Sequence, residues 1–234
     1  AESTGYLDTL NAAAVGHYIR LTHEAYRAAV GEYFGDVILG FYSDEPVMVR
    51  GGKCLPFTPG LFAMFRQRYG YDLERDVLSL AMDTPRAPRL RRDYWALVSE
   101  LFQVNFFRQY AGWCRKYGLQ MTGHLLYEEM LSAQVQYNGD MFAMLSEMQT
   151  PGIDMLDGMT SFDQRGLRAG MGGEACADIP GKLIESIGFF GGKKRLMCEA
   201  YGITAHDCTA QFYKRASDYL FHHGPAGLSQ LIGA

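Results

Sequence analysis

Acidic residues follow four short apolar segments of this chain, and their type and spacing suit acid–base chemistry. The segments are VILGFYSDEP (37–46), LQMTGHLLYEE (119–129), IDMLDGM (153–159) and KRLMCEAYG (194–202), which carry Asp44 and Glu45, Glu128 and Glu129, Asp157, and Glu199. The carboxyl ends of parallel strands open on one face, where the active site of such a fold lies. Several acids there, without a matching set of lysines or arginines, favour acid–base work on an uncharged polar substrate. Sugar hydrolysis is the leading example.

Glu199 and the Asp44-Glu45 pair carry the strongest signals. Glu199 lies inside an apolar segment, where a buried carboxylate is costly unless it is partnered, so a functional role is favoured. Asp44 and Glu45 precede Pro46, which has no N–H to donate and therefore ends strand pairing. A carboxylate at that point faces the rim of the sheet, although a helix N-cap or an ordinary surface acid is the alternative.

The other two acidic positions are more open. Glu128 and Glu129 are adjacent, so in an extended chain only one of them can face the site. If both were buried, their like charges would raise a pKa. Asp157 suits a substrate-hydroxyl acceptor, but Asp-Gly is also a plain turn signal.

His124 follows Gly123 at the end of the second apolar segment. It can bind a sugar hydroxyl, orient a carboxylate or ligate a metal, and a hydrogen-bonded core histidine is the plainer alternative. His17 and His23 are six residues apart in a helical segment and share no face, so we expect no role for them.

The elements that must position these residues follow from hydrophobic periodicity and from glycine and proline signals. Helices are predicted at 11–33, 61–69, 90–117, 141–148, 182–190 and 205–219, and strands at 37–42, 119–125, 153–159, 195–200 and 227–232. Near-continuous apolar strands that alternate with helices indicate a parallel sheet with both faces covered. A closed (β/α)8 barrel needs eight strands. We therefore expect an α/β fold that is part of a TIM barrel, as one partial catalytic domain over 1–234.

Composition excludes several classes of function. The chain has 22 basic and 26 acidic residues and no basic block, so a nucleic-acid partner is not expected. No apolar stretch approaches the roughly 20 residues of a membrane span, so we expect no membrane partner. The five cysteines form no CxxC pair and no zinc-type spacing, and GxSxG, P-loop, GxGxxG and HExxH motifs are absent.

Four long segments of the chain resemble one enzyme family. YLDTLNAAAVGHYIRLTHEAYRAAVGEYFG, GFYSDEP, DYWALVSELFQVNFFRQYAGWCRKYGLQMTGHLLYEE and GKKRLMCEAYG, in that order, are similar to the catalytic barrel of α-L-rhamnosidase-like enzymes, glycoside hydrolase family 106. The resemblance implies a (β/α)8 barrel within a larger multidomain protein, in a periplasmic or secreted bacterial setting. It also implies hydrolysis of terminal rhamnose from an oligosaccharide or glycoside, with inversion. No cofactor is required by the resemblance, which leaves room for an active-site calcium ion.

Carried over by motif, Glu45, Glu129 and Glu199 are the acids around the sugar and His124 is a binding residue, while calcium ligands stay unassigned. Many sugar-cleaving barrels carry their carboxylates on strands four and seven. If the segment before Glu45 is strand four, Glu199 falls on strand seven, and the chain resembles strands four to eight. Without the remaining strands and accessory domains, which we expect as its partners in the full protein, the segment alone is expected to be nearly inactive.

We therefore expect a glycoside hydrolase in which Glu45 is the general acid and Glu199 the general base, with Asp44, His124, Glu129 and Asp157 binding the substrate. One alternative is a non-catalytic carbohydrate-binding or degenerate barrel domain. Another is a metal-dependent hydrolase that uses His124 with the acids.

Overall fold

The computed structural model describes residues 5–49, 54–155, 178–202, 209–222 and 227–229. The strands in these ranges are β1 (Gly40–Ser43), β2 (Gln120–Gly123), β3 (Thr150–Met155), β4 (Met197–Ala200) and β5 (Gly227–Ser229). The α-helices are α1 (Ala12–Leu21), α2 (His23–Val30), α3 (Leu61–Tyr69), α4 (Leu73–Asp76), α5 (Ala87–Phe102), α6 (Gln109–Lys116), α7 (Leu131–Tyr137), α8 (Met141–Glu147), α9 (Asp178–Gly191) and α10 (Ala210–His222). Short 3-10 helices cover Gly31–Tyr33 and Val77–Leu80, and a π-helix covers Gln103–Arg108.

The strands form one parallel sheet in the order β1-β2-β3-β4-β5, so each strand pairs with the next one along the chain. A doubly wound sheet would reverse its strand order at a switch point, whereas a barrel does not. The predicted α/β class is thus borne out as a mixed α/β fold with a parallel sheet, consistent with part of an α/β barrel.

The outer face of the sheet is covered by helices. α6 packs on β2, and α8 and α9 pack on β3. Met121, Ile153 and Cys198 on this face are fully buried. Because side chains alternate along a strand, their neighbours Thr122, Asp154 and Glu199 face the inner side.

The first predicted helix, 11–33, is broken at Thr22. The Thr22 hydroxyl donates to the Tyr18 carbonyl at 2.8 Å and lies 2.6 Å from His23 Nδ1. Side chains of this type compete with the helical hydrogen-bond ladder. The helix is interrupted at this one residue and resumes as α2, and the imidazole of His23 is buried among aromatic rings.

The predicted helix 90–117 is longer and less regular than the periodicity indicates. It begins at Ala87, because Pro88 occupies the first turn, where a missing N–H breaks no bond. The π-helix Gln103–Arg108 then separates α5 from α6 within one continuous rod.

Two strand positions differ from the prediction. β1 begins at Gly40 rather than at Val37, which is 70% exposed in a turn. β3 begins at Thr150, three residues earlier than predicted, and includes Pro151 beside Gly123 of β2. The predicted end of this strand, with Asp157, lies outside the described residues. α4 and α7 were not predicted.

Candidate active site

His124 is at the centre of a group of polar side chains on the inner face of the sheet. Its Nε2 lies 2.9 Å from Glu199 Oε2 and 3.0 Å from Asp44 Oδ1, and its Nδ1 lies 3.0 Å from the Leu125 carbonyl oxygen. The side chain is 1% exposed. Burial alone would lower the pKa of His124, but the charge of Glu128, the Leu125 carbonyl and further carboxylates raise it to about 9. The imidazole therefore carries both protons at neutral pH and donates from both nitrogens.

Gly123 lets His124 reach this position. Its φ is +137°, and a Cβ atom there would lie 2.0 Å from the Ser43 carbonyl oxygen. Only glycine combines this backbone conformation with such a close approach of β2 to β1. The His124 N–H then donates to the same Ser43 oxygen at 3.3 Å.

The loop after β2 is held by its own polar groups. The Leu125 N–H donates to Glu128 Oε1 at 2.8 Å, and Gln134 Nε2 donates to the Glu128 carbonyl. Asn138 Nδ2 donates to the Leu126 carbonyl at 2.5 Å. The Glu128 carboxylate thus lies behind the imidazole, 3.8 Å from Nδ1.

Glu128 and Glu129 are both buried. Burial raises the pKa of Glu128 to about 8, against the opposing effect of His124. Burial also raises the pKa of Glu129, and the charge of Glu45 adds to the effect. Glu129 Oε1 has no hydrogen-bond partner among the described residues. Glu128 and Glu129 therefore differ in role. The Glu128 carboxylate lies beside Nδ1 of His124, whereas Glu129 has a buried oxygen with no hydrogen-bond partner among the described residues.

Glu199 accepts a second hydrogen bond, from the Tyr42 hydroxyl, on the same Oε2 atom that contacts His124. Tyr42 lies on β1 and Glu199 on β4, so this contact crosses the concave face of the curved sheet. Burial, followed by the negative charge of Glu199, raises the pKa of the Tyr42 hydroxyl far above its ordinary range. Tyr42 stays neutral and acts as a donor.

Asp154 is a site residue that sequence reasoning missed. It pairs in register with Glu199 across β3 and β4, it is 7% exposed, and its Oδ1 has no hydrogen-bond partner in the described ranges. Burial raises the pKa of Asp154 to about 7. The charges of Glu199 and Glu45 raise this pKa further, and the charge of His124 lowers it. The available signal was the same as for Glu199, an acid flanked by apolar residues inside a strand.

Asp44 and Glu45 are exposed at the end of β1. Two groups of side chains bring possible ligand atoms within 4.8 Å of one another, namely Asp44, His124 and Glu199, and Glu45, His124 and Asp154. Glu45 has a φ of +42°, and Tyr127 and Tyr201 after β2 and β4 have φ of +60° and +67°. The structure thus brings together Asp44, Glu45, His124 and Glu199 of the predicted residues, with Glu129 close enough to influence Asp154. Asp157 lies outside the described residues.

Both groups combine carboxylate oxygens with one imidazole nitrogen. Calcium takes six to eight oxygen ligands, whereas both groups found in the described ranges include a nitrogen of His124. The geometry is that of a hydrogen-bond network centred on an imidazolium.

Histidines 17 and 23 lie away from this site. His17 is exposed, 3.4 Å from Arg20, and burial lowers the pKa of His23 to about 4. Cys114 and Cys198 are buried free thiols, and Cys54 is an exposed one.

Among the residues described, no helix combines the length and apolar character that crossing a bilayer requires.

Comparison with known proteins finds a likeness among solved structures. No family model matches the chain, and no curated protein matches it. Among solved structures, the rhamnosidase from Novosphingobium sp. PP1Y resembles it with a TM-score of 0.70 and 19% sequence identity. The match covers 97% of this chain and 20% of that chain, so the chain spans a fifth of that protein's length. At this identity the likeness shows a shared fold alone.

Proposed function

We propose that the chain is part of the catalytic barrel of a glycoside hydrolase that removes a terminal sugar, α-L-rhamnose, from an oligosaccharide or glycoside. Its five strands would be strands four to eight of the complete barrel. The observation that carries the proposal is the pair of donors on one oxygen of Glu199, from Tyr42 and His124, at the carboxyl ends of parallel strands. The fold shared with a rhamnosidase supports it.

Glu199 is the general base of this proposal. The hydrogen bonds from Tyr42 and His124 both fall on Oε2. The carboxylate is thereby fixed with Oε1 as the oxygen that takes a proton from the attacking water. In an inverting enzyme that water attacks the sugar from the face opposite the leaving group.

Glu45 is the general acid. It lies on the exposed side of the network, where a leaving group can depart into solvent, and one of its oxygens is within 4.8 Å of Asp154. In this role Glu45 starts the reaction protonated, beside the Asp154 carboxyl. The proton is delivered to the glycosidic oxygen as the bond to the sugar breaks, and no step uses a metal ion.

The assignment is tested in the full-length protein with Glu45→Gln and Glu199→Gln, using an aryl α-L-rhamnoside. Each substitution should lower kcat by about 10²–10⁴-fold, since each removes a proton-transfer group and keeps the side-chain shape. The exposed Glu32 is remote from the network, so Glu32→Gln is the matched control and should retain wild-type rates. Near-normal rates in both site variants would overturn the assignment.

A panel of aryl glycosides tests the rhamnosidase assignment separately from the broader glycosidase assignment. Turnover of another sugar alone would overturn the rhamnosidase assignment but not the glycosidase one. Binding of glycans without any turnover would instead support a non-catalytic carbohydrate-binding domain. The first-formed anomer of the product, followed by proton NMR, tests inversion.

A further inference from the structure

Asp154 and Glu129 present two buried oxygens without a partner. Asp154 Oδ1 and Glu129 Oε1 are inaccessible to solvent and accept no hydrogen bond from the described residues. More than nine in ten buried polar groups in native proteins are paired, so each exception calls for an explanation. Thr122 Oγ1 and Asn138 Oδ1 are likewise unpaired among the described residues, whereas Glu128 accepts from the Leu125 N–H.

The unpaired oxygen of Asp154 belongs to the reactive part of the site. Asp154 is the register partner of Glu199, and one of its oxygens lies within 4.8 Å of ligand atoms of both Glu45 and His124. It therefore stands between the proposed acid and the proposed base. A group that pairs with Asp154 would be held beside the bond that is cleaved.

The chemistry of the missing partner follows from its neighbours. It must donate a hydrogen bond, because an ionised carboxyl only accepts. Burial brings the pKa of Asp154 to about 7, so near neutral pH the carboxyl is found in both forms. A hydroxyl group both donates and accepts, and it matches either form.

We propose that Asp154 recognises the substrate by hydrogen bonding one ring hydroxyl of the sugar that is cleaved. The inference rests on the proposed glycosidase function and adds a specificity-determining residue to it. A site built around a substrate hydroxyl rejects the analogue that lacks it, because the buried partner is then left unpaired. Asp154 therefore selects sugars that carry that hydroxyl in the correct orientation.

The test compares substrate and protein truncations in the full-length protein. The substrates are the aryl glycoside that is turned over and its monodeoxy analogues, each lacking one ring hydroxyl. Asp154→Ala should lower kcat/KM on the parent by about 10–100-fold. On one deoxy analogue the same variant should match the wild type within about twofold, since the lost contact no longer exists in either protein. Asp83→Ala, which changes a side chain that is 95% exposed, is the control and should change neither value.

An equal loss on the parent and on every deoxy analogue would overturn the proposal, because it would show a role in folding or in positioning Glu199. Should the alanine variant fail to fold, the isosteric Asp154→Asn takes its place in the same comparison. If the wild type turns over no glycoside, the proposed function has failed separately. Calorimetric binding of the free sugar and its deoxy forms to the same variants then decides the role of Asp154, with the same pattern expected.

Discussion

His124 Nε2 and Glu199 Oε2 lie 2.9 Å apart and connect β2 to β4 across the intervening strand β3. Tyr42 reaches the same oxygen from β1. Side chains from β1 and from the end of β2 thus contact the same oxygen of Glu199 on β4. The orientation of Glu199 therefore depends on how the sheet places these three strands.

Tyr42→Phe and His124→Ala should each lower kcat by about 10–100-fold, because a hydrogen bond to a charged group contributes about 1.5–3 kcal/mol. In the double variant the combined loss should be smaller than the product of the single losses, since both donors hold one oxygen. Steady-state kinetics of the four proteins give the coupling energy. Strictly multiplicative losses would show that the two donors act independently.

Glu128→Gln should lower the pKa of His124 from about 9. The substitution keeps an oxygen to accept from the Leu125 N–H, but removes the negative charge 3.8 Å from Nδ1. An NMR titration of labelled histidine, with the signal assigned by its loss in His124→Ala, measures the value. Glu129→Gln is the adjacent control and should shift the pKa less, and an unchanged titration in Glu128→Gln would contradict the role given to Glu128.

Asp154→Asn should raise the free energy of unfolding at pH 8 relative to the wild type, on the order of a few kcal/mol, and leave it little changed at pH 4. The pKa of Asp154 rises on folding from 3.8 to about 7, so the native state binds the proton more tightly than the unfolded state. Stability therefore falls as pH rises through this window, and a neutral amide removes that loss. Urea unfolding at the two pH values makes the comparison. A variant that is destabilised equally at both would show that pairing, not burial, governs this carboxyl.

Gly123→Ala should destabilise the protein by several kcal/mol and abolish activity, because the added Cβ meets the Ser43 carbonyl at 2.0 Å and the φ of +137° is foreign to alanine. Gly112→Ala is the matched control, since nothing lies within 4 Å of the added atom in α6. There a gain of about 0.5–1 kcal/mol is expected from helix propensity. Thermal melting of both variants tests the contrast, and similar melting points would refute it.

Elements with strong local signals were predictable. The helix 61–69 agrees with α3, which ends at Gly70 with a φ of +74°, as a helix-terminating glycine requires. The helix predicted at 141–148 corresponds to α8. The parallel order of the strands followed from alternation of apolar strands and helices, and it needed no knowledge of distant contacts.

Asp154 shows why the site was only partly predictable. The predicted third strand begins at Ile153, after Pro151, and has Asp157 near its end. Proline has no N–H for strand pairing, so a strand is not expected to include it in its interior. Tertiary pairing with β2 overrides that rule, so the strand begins at Thr150 and Asp154 becomes the inward acid. The contact of Tyr42 with Glu199 was harder still to predict from the sequence, because it joins β1 to β4 and forms only once the sheet is curved.

The left-handed backbone of Glu45, Tyr127 and Tyr201 lowers the local stability of the loops that contain them. Each follows a strand end, and each non-glycine residue in this conformation costs about 1–3 kcal/mol. The loops that contain these three residues are therefore less stable than the sheet. Their amide hydrogens should exchange through local openings that leave β2 and β3 intact. Substrate that binds to the closed form of these loops would raise the free energy of their opening. Binding should therefore slow the exchange of their amide hydrogens.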